Sequence, residues 1–505
     1  MASIFTSKKA WYVEFLAIFL TCILVRGGSV FSLTLNGDDL LFSHSDTSAL
    51  IQAHISQLRV FPAIEVYAAK LFGGIVPFQG AFWNLAQLGS MTAFALALRS
   101  FLARQSSSIY AIILGLLFVL LPYQTDIQTF KIANPVMAFS YLAGAYGIGF
   151  ANHKGLGRIF RLIALAISLG YQTLFSLYVI AGLVKSVLLF VDYQKGKLGS
   201  IRNVLMPLVT FYLGLAAASL LSVSLGYVAA KLLSESVSDR ATLMTPDLIG
   251  EKIQLVTRHT KKYMLGKDFG ASLATGRAIK LAQSAIVVLS ALSILLTPGL
   301  HRFGLRQRII STFYVILAFF ASIVAILLPA LVLQHTSEGN RFLLAASIYP
   351  AGVSLLLFES ELQYLRRAAA ALASYLCLSF AVLSSSIDAL SARASYREIL
   401  NASRMVDRLY QVSATGMIRS VVFIGDPQFG HGSSPGDEHL KPFVHSLFWP
   451  WARVPLLSEI SGQSFAQPSP TDMKLAKQLS AGMPQWPANG SVKVHGDLGI
   501  IVLSH

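Results

Sequence analysis

Residues 162–191, LIALAISLGYQTLFSLYVIAGLVKSVLLFV, form the apolar stretch that decides how this chain is threaded. A helix needs about 20 apolar residues to cross a bilayer, so the stretch is longer than one typical span and shorter than two. Basic residues flank it on both sides: Arg158 and Arg161 before, Lys195 and Lys197 after. Because basic loops stay in the cytoplasm, we expect a tight hairpin or re-entrant pair that turns near Tyr171-Gln172.

The composition places the rest of the chain in a membrane as well. Of its 505 residues 54% are hydrophobic and only 13% are charged, whereas soluble domains carry about 25% charged residues. Apolar runs recur from Trp11 to Leu390 and then stop. We therefore predict a polytopic α-helical membrane protein with about 11 membrane segments, two of them in the hairpin. The other spans are expected at 12–34, 80–102, 109–124, 135–151, 204–230, 281–297, 309–333, 342–358 and 368–390.

The charge pattern sets the orientation. A net charge of +16 would suggest a nucleic-acid partner in a soluble protein, but here the basic residues cluster in short loops, as topology requires. No nucleic-acid partner is expected. The N-terminus is predicted to be cytoplasmic, and the first apolar run, which lacks a convincing cleavage site, is read as a span. If residues 162–191 crossed only once, every later assignment would invert.

This topology places residues 35–79, 122–134, 231–280, 334–341 and everything after about 390 on the outward face. Loop 35–79 contains two predicted amphipathic helices, near 46–60 and 62–73, and loop 231–280 is a second long loop. We expect residues 1–390 to form the transmembrane domain and residues 391–505 to form a small extracytoplasmic α/β domain.

The tail has its own pattern of elements. Residues 395–412 and 470–483 have helical apolar spacing, whereas IRSVVFIG (418–425) and LGIIVLS (498–504) read as buried strands. VVFIGDPQFG lacks the GxGxxG spacing of a nucleotide-binding turn. Trp449 and Trp451 could stack on sugar rings, although a packed aromatic cluster is the favoured interpretation.

An acidic pair stands at the exit of the first span, in LTLNGDDLLFSHSD (33–46). Carboxylates at a membrane edge are costly unless they are solvated or paired. Asp38 and Asp39 could cap the helix that follows. Alternatively, one of them could act as a general base that accepts a proton from an attacking hydroxyl, while its neighbour holds that base.

Cations are available on the same face. Arginine suits bidentate binding of phosphate, and lysine supplies a compact charge. The alternative for each cation is to extend its charged end into the interface. Arg26, deep in the first span, could contact a lipid phosphate or extend outward. The candidate phosphate ligands are Arg341, Lys131, Arg59, Arg258 and Lys262.

An outward base together with interfacial cations fits glycosyl transfer from a lipid-linked sugar phosphate. The cations would stabilise the departing phosphate, and the base would activate an acceptor hydroxyl. Asp38, Asp39 and Asp46 could in principle bind a divalent ion, but such a donor does not need one. We predict no metal site and no cofactor, since His44, His54 and His259 also lack metal-ligand spacing.

Four features together resemble the bacterial serotype-converting O-antigen glucosyltransferases, also called type II glucosyl transferases. They are NGDDL (36–40) after the first span, the long first outer loop, LGYQTLFSLYV (169–179) and the soluble outer tail. The acidic pair is shared by several families of the membrane-embedded class C glycosyltransferases, so it specifies the superfamily better than the acceptor. Family members often have a Gly-Arg pair further along the first loop. Here QLRVFPAIEV (57–66) contains Arg59 without a preceding glycine.

The resemblance implies Asp38 and Asp39 as the catalytic pair and a donor of polyprenyl-phosphate-linked glucose, in particular undecaprenyl-phosphate glucose. It implies an O-antigen or similar envelope polysaccharide as acceptor, a donor synthase and a flippase as functional partners, and the bacterial inner membrane as location, with the C-terminal domain in the periplasm. Two rival hypotheses remain: a transporter or flippase of lipid-linked sugars, and a polymerase or ligase of envelope polysaccharide.

Overall fold

The computed structural model describes most of the membrane part and most of the tail, and most of this chain is helical. The described residues are 8–31, 47–71, 80–102, 108–124, 131–233, 235–238, 242, 245–255, 257, 273–296, 304–332, 344–413, 416–427, 447 and 449–504.

Helices account for nearly all of the described membrane part. In chain order they are α1 Lys8–Phe31, α2 Thr47–Ser56, α3 Val60–Leu71, α4 Gly80–Leu102, α5 Ser108–Val119, α6 Asn134–Gly147, α7 Gly155–Leu169, α8 Leu174–Gln194, α9 Arg202–Leu232, α10 Leu273–Leu296, α11 Leu305–Ile326, α12 Leu328–Val332, α13 Ile348–Phe358 and α14 Gln363–Val412. Short 3₁₀ turns lie at Lys131–Ala133, Phe150–Asn152 and Pro246–Leu248.

Seven of the described helices are long and apolar enough to cross a membrane. Their spanning portions are Ala10–Gly28, Ala81–Leu102, Leu174–Gln194, Arg202–Leu232, Gly276–Leu296, Leu305–Ile326 and Gln363–Val412. Shorter apolar helices lie at Ile109–Val119 and Ile348–Phe358. The prediction of a mostly helical chain with several apolar helices of membrane-spanning length is confirmed, and the total of about 11 segments stays a prediction.

The decisive stretch 162–191 forms two helices, the second part of α7 and most of α8, joined by the turn 170–173. The guanidinium of Arg161 lies over the ring of Tyr146, near the end of α6. Lys185 of α8 donates to the carbonyl of Phe101, near the end of α4, at 2.7 Å. Since α4 and α6 run parallel, with Asn84 paired to Asn134 near their starts, the chain returns to the end of the bundle from which it came. The expected turn near Tyr171-Gln172 agrees with this path.

Buried polar pairs mark the two ends of the bundle. At the end predicted to face the cytoplasm, Arg99 of α4 forms a salt bridge with Glu14 of α1 at 3.0 Å, and both side chains are buried. At the opposite end, Ser176 at the start of α8 donates to the carbonyl of Ile326, the last residue of α11. We call this opposite end, where the turn 170–173 lies, the outer end.

Helix α14 is continuous across the predicted domain boundary at residue 390. Its 50 residues contain neither proline nor glycine, the two residues that most strongly interrupt helices. The apolar span therefore passes into the amphipathic tail helix without a break. Met405 and Leu409 on its last turns pack into the core of the tail.

The tail contains a three-stranded sheet of order β1-β3-β2, formed by Ser420–Ile424, Leu498–Val502 and Val492–His495 respectively. β1 pairs parallel to β3, and β2 pairs antiparallel to it. Helices α15 Pro450–Ser461 and α16 Pro470–Leu479 complete the described part of the tail. The predicted strands at 418–425 and 498–504 and the helices at 395–412 and 470–483 are confirmed, whereas β2 was not predicted.

Candidate functional site

Arg26 ties the outer end of α1 to two other helices. Its backbone leaves the helical conformation, at φ −117° and ψ 20°. Its fully buried guanidinium donates to the carbonyls of Val119 and Leu121, the latter at 3.2 Å. Asp388 of α14 interacts with it electrostatically. From the sequence, Arg26 was expected to contact a lipid phosphate or to extend outward. It does neither, because its partners are the end of α5 and α14.

Neutral polar side chains continue this arrangement across the outer ends of α4, α5 and α6. The hydroxyl of Tyr141 donates to Oε1 of Gln124 at 2.8 Å, and the charge of Arg26 also acts on Tyr141. The amide of Asn134 donates to Oδ1 of Asn84. All of these side chains are almost completely buried.

Lys131 belongs to the same region. It opens the 3₁₀ turn before α6, a turn that packs against α4 and α6, and the residue is 5% exposed. Its charged end therefore does not extend freely into solvent. We call the set Arg26, Asn84, Gln124, Lys131, Asn134, Tyr141 and Asp388 the outer-end cluster. Buried charges and amides among apolar helices are expensive and mark substrate-handling sites by default.

Arg59 joins the first outer loop to the decisive hairpin. Its guanidinium donates to Oε1 of Gln172 at 3.1 Å. Gly170 allows the close approach, because a Cβ at that position would lie 2.7 Å from Cδ of Pro62. The predicted phosphate ligand and the predicted turn thus meet at the outer end.

Leu58 gives Arg59 this position. It has φ 58°, a left-handed conformation that costs an ordinary residue about 1–2 kcal/mol. The N–H of Arg59 bonds the carbonyl of His54, and the N–H of Leu58 bonds that of Ile55, which is the Schellman arrangement at a helix end. Glycine is the residue this position favours, so the backbone has the conformation that suits a Gly-Arg pair although the sequence has leucine.

His54 stays uncharged next to this arginine. Burial, together with the charge of Arg59, lowers the pKa of His54 to about 3. The imidazole is therefore neutral at pH 7, and it leaves Arg59 as the positive charge at this helix end.

An apolar cavity lies below the Arg59–Gln172 pair, between α3, α6 and α7. Its volume is about 400 Å³. Burial raises the pKa of Glu65, the acidic residue among those that line the cavity, well above the ordinary carboxyl value, and the nearby hydroxyl of Ser140 only partly opposes this. Burial therefore favours the uncharged form of this wall residue. The principal lining residues are Phe61, Ile64, Glu65, Leu142, Ala143 and Ile167.

Several predicted site residues lie outside the residues that the structure describes. These are Asp38, Asp39, Arg258, Lys262 and Arg341. Their roles stay predictions, as do those of Arg59 and Lys131. In the tail, the rings of Trp449 and Trp451 stack at 4.6 Å, with Trp449 against the core and Trp451 42% exposed.

Sequence reasoning missed the amides of the outer-end cluster and Glu65. A usable signal was present, since Asn84, Gln124 and Asn134 interrupt or border otherwise apolar runs. These polar residues do not by themselves predict a site, because side chains from three separate helices converge only in the folded bundle.

The class of protein follows from these features: a helical membrane protein with a buried polar cluster at one end of its bundle. The family model named Glucosyl transferase GtrII matches residues 82–358, from α4 to the end of α13. This is more than half of the chain, which therefore belongs to the GtrII family of glucosyl transferases. No curated protein and no solved structure matches the chain. The resemblance seen in the sequence is confirmed, although the match does not include Asp38, Asp39, Arg59 or the tail.

Proposed function

We propose that this protein transfers glucose from polyprenyl phosphate to an O-antigen sugar on the outer face of the bacterial inner membrane. Family membership supports a glucosyltransferase that acts on O-antigen. The lipid-phosphate donor, the outer face and the residue roles are our proposal. Undecaprenyl-phosphate glucose is the donor we expect, supplied by a synthase and a flippase.

The observation that carries the proposal is the placement of Arg59. A left-handed residue and a hydrogen bond to Gln172 hold its guanidinium at the outer end, above an apolar cavity. A fixed cation at the edge of an apolar space suits a ligand with a phosphate head and a hydrocarbon tail. A soluble nucleotide-sugar would need no such space.

The chemistry is a single displacement. One carboxylate of the Asp38–Asp39 pair accepts the proton of the acceptor hydroxyl, whose oxygen bonds the anomeric carbon of glucose. The bond from that carbon to the phosphate oxygen breaks, and lipid phosphate leaves. Arg59, together with Lys131, Arg258, Lys262 or Arg341, would stabilise the negative charge on the leaving phosphate. No metal ion is needed, because these cations supply the charge.

The experiment is transfer of radiolabelled glucose to O-antigen by Asp38→Asn and Asp39→Asn variants. Loss of a general base lowers the rate by about 10²–10⁴-fold, so at least one variant should show a drop of that size. Asp46→Asn, in the same acidic segment, is the matched control and should keep the wild-type rate. Full activity in both single variants would remove the proposed base.

Product size separates this function from its rivals. A glucosyltransferase adds single glucose residues to existing repeats, whereas a polymerase or ligase changes chain length or attachment. Movement of lipid-linked sugar across vesicles without any covalent product would favour a transporter.

A further inference from the structure

We propose that the cavity between α3, α6 and α7 binds the isoprenoid chain of the donor, with the donor phosphate at Arg59 on its rim. The inference rests on the proposed function and adds a lipid-binding site to it. The site is specific in its chemistry: one methyl-branched apolar chain that ends in an anion.

The lining of the cavity suits hydrocarbon. Phe61 and Ile64 come from α3, Leu142 and Ala143 from α6, and Ile167 from α7. A volume of about 400 Å³ falls in the range of ligand pockets, roughly 300–1,000 Å³. The space is large enough for part of an isoprenoid chain, and the remainder would extend into the bilayer.

The cavity opens toward the lipid-facing surface. Ile64, Leu142 and Tyr146 line it, and they are 56%, 57% and 48% exposed. Leu142 and Tyr146 belong to α6, one of the predicted spans, and Ile64 belongs to α3. Large apolar side chains with this exposure are stable against lipid and would be costly against water. A chain can therefore enter sideways from the membrane.

The rim of the cavity is continuous with the cation. Phe61 lines the cavity and stands two positions after Arg59, and Ile167 lines it at the end of α7 that leads into Gln172. Pro62 and Phe61 also pack against Gly170 of the same turn. The hydrogen bond from Arg59 to Gln172 therefore lies close in the chain to the lining residues Phe61 and Ile167, and we place the head of the amphiphile at this end.

Glu65 does not exclude an apolar occupant. Glu65 is 5% exposed, and its carboxyl faces the hydroxyl of Ser140 on α6. A carboxylate in such surroundings is costly, so burial favours the neutral acid. In that form the side chain adds no charge to the apolar wall.

Binding of undecaprenyl phosphate, without sugar, to the purified full-length protein tests the site. Ala143→Trp fills the cavity from α6, and Ala68→Trp fills it from α3. Ala217→Trp, on the exposed surface of α9, is the matched control. Two further probes separate chain from head: undecaprenol lacks the phosphate, and dimethylallyl phosphate lacks the long chain.

The two ends of the site should respond separately. Ala143→Trp should weaken binding of undecaprenyl phosphate and undecaprenol by about tenfold or more, since several buried methylenes lose their place, and it should not affect dimethylallyl phosphate. Arg59→Gln should weaken undecaprenyl phosphate by about tenfold, the effect of losing a charged hydrogen bond, and should not affect undecaprenol. Ala217→Trp should change none of these affinities.

Unchanged affinity for undecaprenyl phosphate in a folded Ala143→Trp protein would overturn the proposal. If Ala143→Trp does not fold, unchanged affinity for undecaprenyl phosphate in a folded Ala68→Trp protein would overturn the proposal in the same way. Equal competition by phosphatidylglycerol would also overturn it, because an ordinary phospholipid would then be the occupant. If the cavity variants lose binding but the wild type transfers no glucose, the lipid site stands and the proposed function fails.

Discussion

The guanidinium of Arg59 and the side-chain oxygen of Gln172 lie 3.1 Å apart, although 113 positions separate them in the chain. The contact links the first outer loop to the hairpin that sets the topology. It also lies between the apolar cavity and the outer surface. The predictions below begin with this pair.

Loss of the Gln172 side chain should impair transfer while the protein stays folded. In Gln172→Leu, Arg59 loses the partner that orients it, and kcat/KM for transfer should fall by about tenfold. Gln172→Glu should lower it at least as much, because the new carboxylate competes with the donor phosphate for Arg59. Gln57→Leu, a nearby half-buried glutamine, is the control. Wild-type kinetics in both Gln172 variants would show that the pair is only structural.

The left-handed backbone at Leu58 predicts an unusual order of stabilities. Leu58→Ala loses the contacts of this side chain with Ile55 and Ala230 and keeps the strain. Leu58→Gly loses the same contacts and relieves about 1 kcal/mol or more of strain. The glycine variant should therefore melt at a higher temperature than the alanine variant, the reverse of the usual order inside a helix. An alanine variant of higher melting temperature would contradict the assigned conformation.

The buried carboxyl of Glu65 should make the stability of the folded protein depend on pH. Its raised pKa means that, above the ordinary carboxyl value, the folded protein holds a proton that the unfolded chain has released. The contribution of Glu65 is therefore fully present below that ordinary value and declines as pH rises, by up to about 1.4 kcal/mol per pH unit. Glu65→Gln should flatten the decline of melting temperature as pH rises above the ordinary carboxyl value.

The control for Glu65 is Glu361→Gln, at an exposed position. It should leave the pH profile of the melting temperature as in the wild type. If Glu65→Gln and the wild type have parallel profiles, Glu65 is not a neutral acid in the folded protein.

The Glu14–Arg99 salt bridge predicts a strong effect on stability at the end of the bundle away from the site. Removal of one partner leaves a buried, unpaired charge and costs about 3–5 kcal/mol of unfolding free energy. Glu14→Leu should therefore be more destabilising than the double variant Glu14→Leu with Arg99→Leu. Asp497→Leu, which breaks the exposed pair with Arg419 in the tail, should change the melting temperature little. Mixed-micelle denaturation of the purified protein measures these differences.

The elements were predictable because each depends on a local pattern. The span predicted at 80–102 coincides with α4, and the expected helices near 46–60 and 62–73 correspond to α2 and α3. Apolar length and basic flanks determine such segments without reference to other parts of the chain. The domain boundary expected near residue 390 stays a prediction: it rests on a change in composition, but no residue there interrupts a helix, and α14 continues to Val412.

The arrangement of the site was not predictable in the same way. Arg26 was expected to meet lipid or solvent, and it instead satisfies the carbonyls of Val119 and Leu121. The carbonyl of Leu121 also accepts from the N–H of Gln124, and both carbonyls reach Arg26 only because α1 packs beside the end of α5. Sequence reasoning named Arg59 without its partner Gln172, since no local pattern relates the two.

By itself, the sequence determined the class of molecule, the order of its apolar helices and its family resemblance, because hydrophobic length and charge bias act within single segments. Only the tertiary structure decided which polar groups are buried together, where Leu58 directs Arg59, and that an apolar cavity lies beneath that cation. These depend on distances between helices far apart in the chain, and packing of the whole bundle sets such distances.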